Sequence, residues 1–261
     1  MKHLLTNPCW SKHGPQASDR FVMKAIRFTA VLTGLLVMGT AAGSLRAAGE
    51  EGVALAIVYD TSGSMKEPVP DGTGRPAPKY VIANRALEAI ASQIRSFTTN
   101  STTGAPRPVQ AGLFVFTSSG ARQAIPFGPF DAAVFQAWAR DFKKPEGGTP
   151  LGAAVQAAAE TVLKSPLAHK HILVITDGMN TVGPDPAKVL PGIRQKAGQQ
   201  QTTLGLHFVA FDVNADVFSG VKKLGATVVG AANETQLNKQ LEFILQKKIL
   251  LEDEEPSPKA K

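Results

Sequence analysis

Residues 53–68 read VALAIVYDTSGSMKEP. Val53 to Tyr59 carry only apolar side chains, and then Asp60, Ser62, Gly63 and Ser64 follow without a spacer. A continuous apolar run of this length suits a central parallel strand buried on both faces. A carboxylate and two hydroxyls directly after it suit the end of such a strand, because ligands of open α/β sheets bind beyond the carboxyl ends of the strands, near the switch in strand order.

Outward from this strand the pattern alternates. Pro68 to Pro78 reads as a loop rich in Pro and Gly. From Lys79 to about Phe97, Val81, Ile82, Leu87, Ile90, Ala91, Ile94 and Phe97 recur at helical spacing. TTNSTTGAPRP breaks the chain, and VQAGLFVF (109–116) is a second strand. ARQAIPFG (121–128) is expected as a short edge strand, where Pro126 is tolerated. Asp131 is placed to cap a helix running to about Phe142. KKPEGGTPLG leads into an Ala-rich helix over 151–163. HILVIT (171–176) is a buried strand ending at Asp177-Gly178, and a helix over 186–200 has Pro186 in its first turn. TLGLHFVAF (203–211), a short helix over 215–224, ATVVGA and an amphipathic helix over 234–251 complete the domain. Strands and helices in alternation predict one α/β domain over residues 50–250, an open and mainly parallel sheet with helices on both faces and one short antiparallel edge strand.

The chain has 261 residues and 43% hydrophobic content, enough for a sizeable core. Its formal charge of +7 is concentrated in the first 48 residues, where Lys2, Lys12, Arg20, Lys24, Arg27 and Arg46 face a single acid, Asp19. The basicity is therefore no argument for nucleic acid as a partner. Cys9 is the only cysteine, so the domain holds neither a disulfide nor a thiolate metal site. From Met23, a short basic segment (Lys24, Arg27), an apolar run over 28–42 and small residues form the pattern of a secretory signal peptide. Cleavage after Ala47 or after Ser44 fits. The apolar run is about 15 residues, below the roughly 20 of a membrane-spanning helix. Residues 1–22 read as a non-native extension, 23–47 as the signal and 251–261 as a disordered polar tail. The expected product is periplasmic or secreted, with no stable membrane span after signal cleavage; an uncleaved anchor is the alternative.

Asp60, Ser62, Ser64, Thr149 and Asp177 all fall at the carboxyl edge of the predicted sheet. They are hard oxygen donors, with no His or Cys among them, which suits Mg²⁺ or Mn²⁺ better than Zn²⁺. Gly63 frees the turn between the serines, and Gly147 and Gly148 let the Thr149 loop come close. Singly, each residue has a plainer explanation. Ser62, Ser64 and Thr149 are good helix caps, and Asp177-Gly178 is a common turn. Jointly, the five favour a metal site.

Asp60-Thr61-Ser62-Gly63-Ser64, with GGT at 147–149 and TDG at 176–178, resembles the metal-ion-dependent adhesion site of the von Willebrand factor A domain family. The likeness covers about residues 50–250. It implies a doubly wound, Rossmann-like sheet of six strands. It also implies direct metal ligation by Ser62, Ser64 and Thr149, with Asp60 and Asp177 acting directly or through water. An open metal position would accept an Asp or Glu side chain of a protein partner. Met65, Lys66, Gly148 and Gly178 would form the rim of that surface, and the proline-rich loop over 66–79 would add specificity.

Three functions compete. The first is an exported metal-dependent protein-binding module. The second is a subunit of an envelope complex in which the metal is structural. The third is a metal-assisted phosphatase or hydrolase. The third is disfavoured because no nucleophile and base are paired, no phosphate-cradling loop is evident, and no Lys or Arg other than Lys66 and Lys144 lies near the five residues. DVNAD (212–216) begins like a calcium loop, but Val217 and Lys223 stand where Gly and Glu are needed, so a helix cap is expected. His169 and His171 are expected to be structural or solvated, His207 to be packed, and Asp212 to border the ligand edge.

Overall fold

The computed structural model describes residues 49–99 and 107–250. The leader, the segment 100–106 and the tail lie outside the described residues, and the signal-peptide and tail expectations with them. β1 (Glu50–Tyr59) is buried from Gly52 to its end. A two-stranded hairpin, β2 (Pro68–Pro70) and β3 (Pro76–Pro78), leads into α1 (Lys79–Thr99). β4 (Val109–Phe116), β5 (Ala121–Pro129), α2 (Ala132–Asp141), α3 (Leu151–Val162) and β6 (Leu167–Thr176) follow. The chain closes with α4 (Pro186–Gln199), β7 (Gly205–Phe211), α5 (Ser219–Lys223), β8 (Thr227–Ala231) and α6 (Glu234–Ile244), which continues as a wider turn to Leu250.

The six-stranded sheet has the order β5-β4-β1-β6-β7-β8, parallel except for β5. This is the expected doubly wound sheet with an antiparallel edge. β1 lies between β4 and β6, so the chain winds one way through β4 and β5 and the other way through β6 to β8. The β1–β6 pair is the switch point, where a crevice forms at the carboxyl ends. Tyr59 pairs with Ile175, and the Asp60 N–H donates to the Ile175 carbonyl at 3.0 Å. That pairing brings Asp60 alongside Thr176 and Asp177.

Alternation along β1 divides the core. Val53, Leu55, Ile57 and Tyr59 pack with Ile82, Leu87 and Ile94 of α1, Phe135 of α2 and Leu237 and Leu241 of α6. Ala54, Ala56 and Val58 pack with Ala154, Val155 and Ala158 of α3, Leu190 and Ile193 of α4 and Val221 of α5. Small residues on both partners let α3 approach the sheet closely. Gly152 marks a second close approach, of α3 to the loop before α4, since a Cβ there would collide with the Pro184 carbonyl.

Several local expectations change. β6 begins at Leu167 rather than His171, and its early residues include Lys170, which is buried and donates to the Leu167 carbonyl. Of the two readings for His171, structural or solvated, the structure takes the first: it is buried and stacked on His207 with nitrogens 3.3 Å apart. The edge strand β5 is nine residues long. The region 66–79 is a paired hairpin, not an open loop: Pro68 faces Pro78 and Pro70 faces Pro76. Glu234 of α6 accepts from the Gly72 N–H at 2.7 Å and from Arg85 of α1 through two nitrogens, at 2.7 and 2.9 Å.

Candidate metal centre

The turn after β1 starts with Asp60, which is wholly buried. One carboxylate oxygen accepts the Ser62 N–H at 2.8 Å, and the other accepts the Thr176 hydroxyl at 2.6 Å. The Ser62 and Ser64 hydroxyls are 3.1 Å apart, and Ser64 donates to Asp177 Oδ1 at 2.8 Å. Four of the five expected residues are thus joined in one cluster at the switch point. The helix-cap explanation for the serines fails. Ser62 starts a single turn of 3₁₀ helix over Gly63–Lys66, with no side-chain capping bond.

The Thr149 loop is stitched to this turn by backbone. Gly63 N–H donates to the Gly147 carbonyl at 3.0 Å, and Glu146 N–H donates to the Thr61 carbonyl at 2.8 Å. Gly147 has φ +85°, which favours glycine there. Thr149 N–H donates to the Thr181 hydroxyl at 2.7 Å, and the Thr149 carbonyl accepts from Thr181 N–H. Thr149 does not cap α3, whose N-cap position is Pro150. Its hydroxyl stands next to Gly178, at 4.0 Å from where a Cβ would lie, and takes no part in the hydrogen-bonded cluster.

Burial, and then the neighbouring Asp177 carboxylate, push the Asp60 pKa from 3.8 up to about 6, against the hydrogen bonds from Ser62 and Thr176. Two neighbouring carboxylates, one of which raises the pKa of the other, beside two converging hydroxyls make a donor set that fits a hard divalent cation. Among the described residues no cluster of three His, Cys, Asp or Glu side chains is arranged for a metal, so any metal here depends on the hydroxyls.

Rim expectations divide. Lys66 is exposed, and Gly148 and Gly178 are half-buried beside the site. Met65 is not at the rim. It is fully buried in the core with Tyr59 and Ile82, because the 3₁₀ turn points its side chain back under β1. Met179, two residues past Asp177, is instead the exposed apolar residue near the site, at 60% exposure.

Lys79, the first residue of α1, is 3% exposed, and its ammonium lies 3.1 Å from Asp177 Oδ2, 3.0 Å from Asp212 and 2.9 Å from Glu67. Burial opposes its charge, but the hydrogen bonds to Glu67, Asp212 and Asp177 outweigh that and hold its pKa above the ordinary lysine value. The expectation that no lysine other than Lys66 and Lys144 approaches the five residues is therefore wrong. Lys79 is 98 positions from Asp177, and only the packing of α1 against the sheet brings them together. Asp212, in the left-handed region at φ +56°, does border the site, and Asn214 caps the next turn by accepting from Asp216 N–H at 2.9 Å, as expected for DVNAD.

Residues 55–180 match the family model described as von Willebrand factor type A domain. Among solved structures, the PilB minor pilin from Streptococcus sanguinis is 16% identical with a TM-score of 0.57, over 76% of this chain and 61% of that one. PTMP1 from the mussel byssus, in a structure with a zinc-occupied MIDAS motif, is 15% identical with a TM-score of 0.54, over 76% of this chain and 48% of that one. The vWF domain of the type V pili tip protein Mfa5 from Porphyromonas gingivalis is 13% identical with a TM-score of 0.54, over 76% of this chain and 95% of that one. The chain thus spans less than two thirds of the first two proteins. Among curated proteins no match to the chain was found. The family match supports the von Willebrand factor type A family, and the structural likenesses share its doubly wound fold.

Proposed function

We propose that the chain is an exported, metal-dependent protein-binding module of the von Willebrand factor A type. Ser62, Ser64 and Thr149 would hold Mg²⁺ directly, or Mn²⁺ in its place, with Asp60 and Asp177 direct or through water. The open position would take an Asp or Glu carboxylate from a partner protein. The observation that carries this reading is the Ser64–Asp177 hydrogen bond at 2.8 Å, which unites the turn after β1 with the turn after β6. Both oxygens of Asp60 are already engaged by Ser62 and Thr176, which favours a water-mediated role for that residue. The zinc-occupied motif of PTMP1 makes zinc a competitor to include in any metal titration.

A hydrolase reading gains a nearby lysine but little else. Lys79 is enclosed by three carboxylates, so its charge is spent within the protein rather than aimed at a phosphate. Export rests on the basic and apolar segment from Met23, and the neighbours from pili are compatible with it. Among the described residues no helix is long and apolar enough to cross a membrane.

The test is a pull-down from envelope extract with and without EDTA, with Asp60→Ala as control. A partner retained only by metal-loaded wild-type protein supports the reading. If every partner survives both EDTA and Asp60→Ala, any metal is structural and the module reading fails.

A further inference from the structure

We infer that Lys79 is an electrostatic positioning residue that holds metal affinity at the Asp60–Asp177 site below what the two carboxylates alone would give. The inference rests on reading that site as a metal centre.

The placement of Lys79 is costly for the fold. A lysine in the first turn of a helix opposes the helix dipole, and α1 has no acid in its own first turn to offset it. Burying an ammonium at 3% exposure adds a desolvation cost. Three carboxylates from three separate segments offset both: Glu67 after the 3₁₀ turn, Asp177 after β6 and Asp212 after β7. Backbone supports the same position, since Lys79 N–H donates to the Glu67 carbonyl at 2.9 Å.

The orientation at Asp177 gives the lysine its effect on metal. Oδ2 bonds to Lys79 at 3.1 Å, and Oδ1 bonds to the Ser64 hydroxyl at 2.8 Å. One carboxylate therefore separates the ammonium from the cluster of hydroxyls. The lysine fixes which oxygen faces that cluster, and it repels any cation bound there. Repulsion between an ammonium and a divalent ion one carboxylate apart is worth on the order of tenfold in affinity even at the dielectric of water. Two carboxylates and a divalent cation sum to zero charge; the lysine leaves an excess of one positive charge in the buried part of the site. Glu67 and Asp212, at 66% and 39% side-chain exposure, are the better solvated partners and compensate from outside. A metal held less tightly by the protein, with residual positive charge, favours an incoming carboxylate.

The sign of the effect separates this role from a merely structural one. In a Mn²⁺ titration of the full chain by calorimetry, Lys79→Met is expected to lower the dissociation constant on the order of tenfold. A lysine that served only to tie three loops together would weaken binding when removed. Asp212→Asn, which keeps a residue suited to the left-handed backbone, is expected to raise the dissociation constant severalfold, because Lys79 is then less compensated. Equal or weaker Mn²⁺ binding by Lys79→Met overturns the inference. If that variant fails to fold, Asp212→Asn decides, and unchanged or tighter binding overturns it. Asp60→Ala separates the two levels. If it abolishes Mn²⁺ binding while Lys79→Met has no effect, only the role of Lys79 is lost. If Asp60→Ala binds Mn²⁺ like wild type, the metal-centre reading falls and the inference with it.

Discussion

Ser64 donates its hydroxyl proton to Asp177 Oδ1 at 2.8 Å across 113 positions of sequence. The bond exists because β1 and β6 are parallel neighbours that end at the same level, Tyr59 beside Ile175. It joins one hydroxyl and one carboxylate expected to hold the metal.

Ser64→Ala removes that hydroxyl from a half-buried turn without touching the core. The expected stability loss is about 1 kcal/mol, the size of one net hydrogen bond. Mn²⁺ affinity is expected to fall by roughly tenfold or more, since the variant lacks a proposed direct ligand. Calorimetric titration beside a urea melt separates the two effects; a loss of stability with full metal affinity would remove Ser64 from the ligand set.

Without metal, Asp60 makes stability depend on pH. Its folded pKa of about 6 lies above the ordinary 3.8, so the folded state binds the proton more tightly. The stabilisation from protonated Asp60 is complete below about pH 4 and disappears as pH rises through about 6. The shift corresponds to at most about 3 kcal/mol. In EDTA, the difference in stability between wild type and Asp60→Asn should move in favour of Asp60→Asn across this window. Saturating Mg²⁺ should reverse the wild-type trend, because metal binding requires the ionised carboxylate. Chemical melts between pH 4 and 7 with both proteins check the sign.

Gly152→Ala should destabilise by about 1–3 kcal/mol, since the added methyl meets the Pro184 and Asp185 backbone rather than a flexible side chain. Gly152 N–H also donates to Asn180 at 3.1 Å, and the same loop carries Thr181, which holds Thr149. Mn²⁺ affinity is therefore expected to fall as well, although residue 152 is no ligand. A stable variant with unchanged Mn²⁺ affinity would show that the loop adjusts freely.

Glu234 anchors the hairpin through Gly72 and Arg85. Glu234→Ala should cost about 1–2 kcal/mol, because its side chain is largely buried and accepts charge-assisted bonds. It should also open the exposed Gly72–Arg75 tip to a protease of broad specificity such as subtilisin, since Pro76 after Arg75 blocks trypsin there. Equal cleavage rates for variant and wild type would mean that the paired prolines hold the hairpin without the anchor.

Much of this architecture was legible along the chain. Val53–Tyr59, 109–116 and 203–211 announce strands because continuous apolar runs between turn residues leave few other options. Asp131 and Pro186 mark helix starts by local capping chemistry, and the structure uses Asp131 and Asp185 as those caps. Less legible was the start of β6, where His169 to His171 break the apolar pattern although the strand runs through them from Leu167. The hairpin at 68–78 was hidden because its prolines lack the N–H groups by which strand propensity is judged, and pairing rests on Val69 and Ala77.

For the candidate site, sequence alone determined the types and order of the candidate donors: Asp60, Ser62, Ser64, Thr149 and Asp177, all in the segments that follow a strand or lead into a helix. Tertiary structure decided everything that depends on distance. It placed Thr176 on Asp60, Thr181 on Thr149 and Lys79 on Asp177, and it turned Met65 away from the rim into the core. The physical reason is the range of the forces involved. Strand and cap preferences act within a few residues, so they leave a local trace. A buried ammonium among carboxylates from three distant loops leaves none, because its partners meet only when the sheet has closed around them.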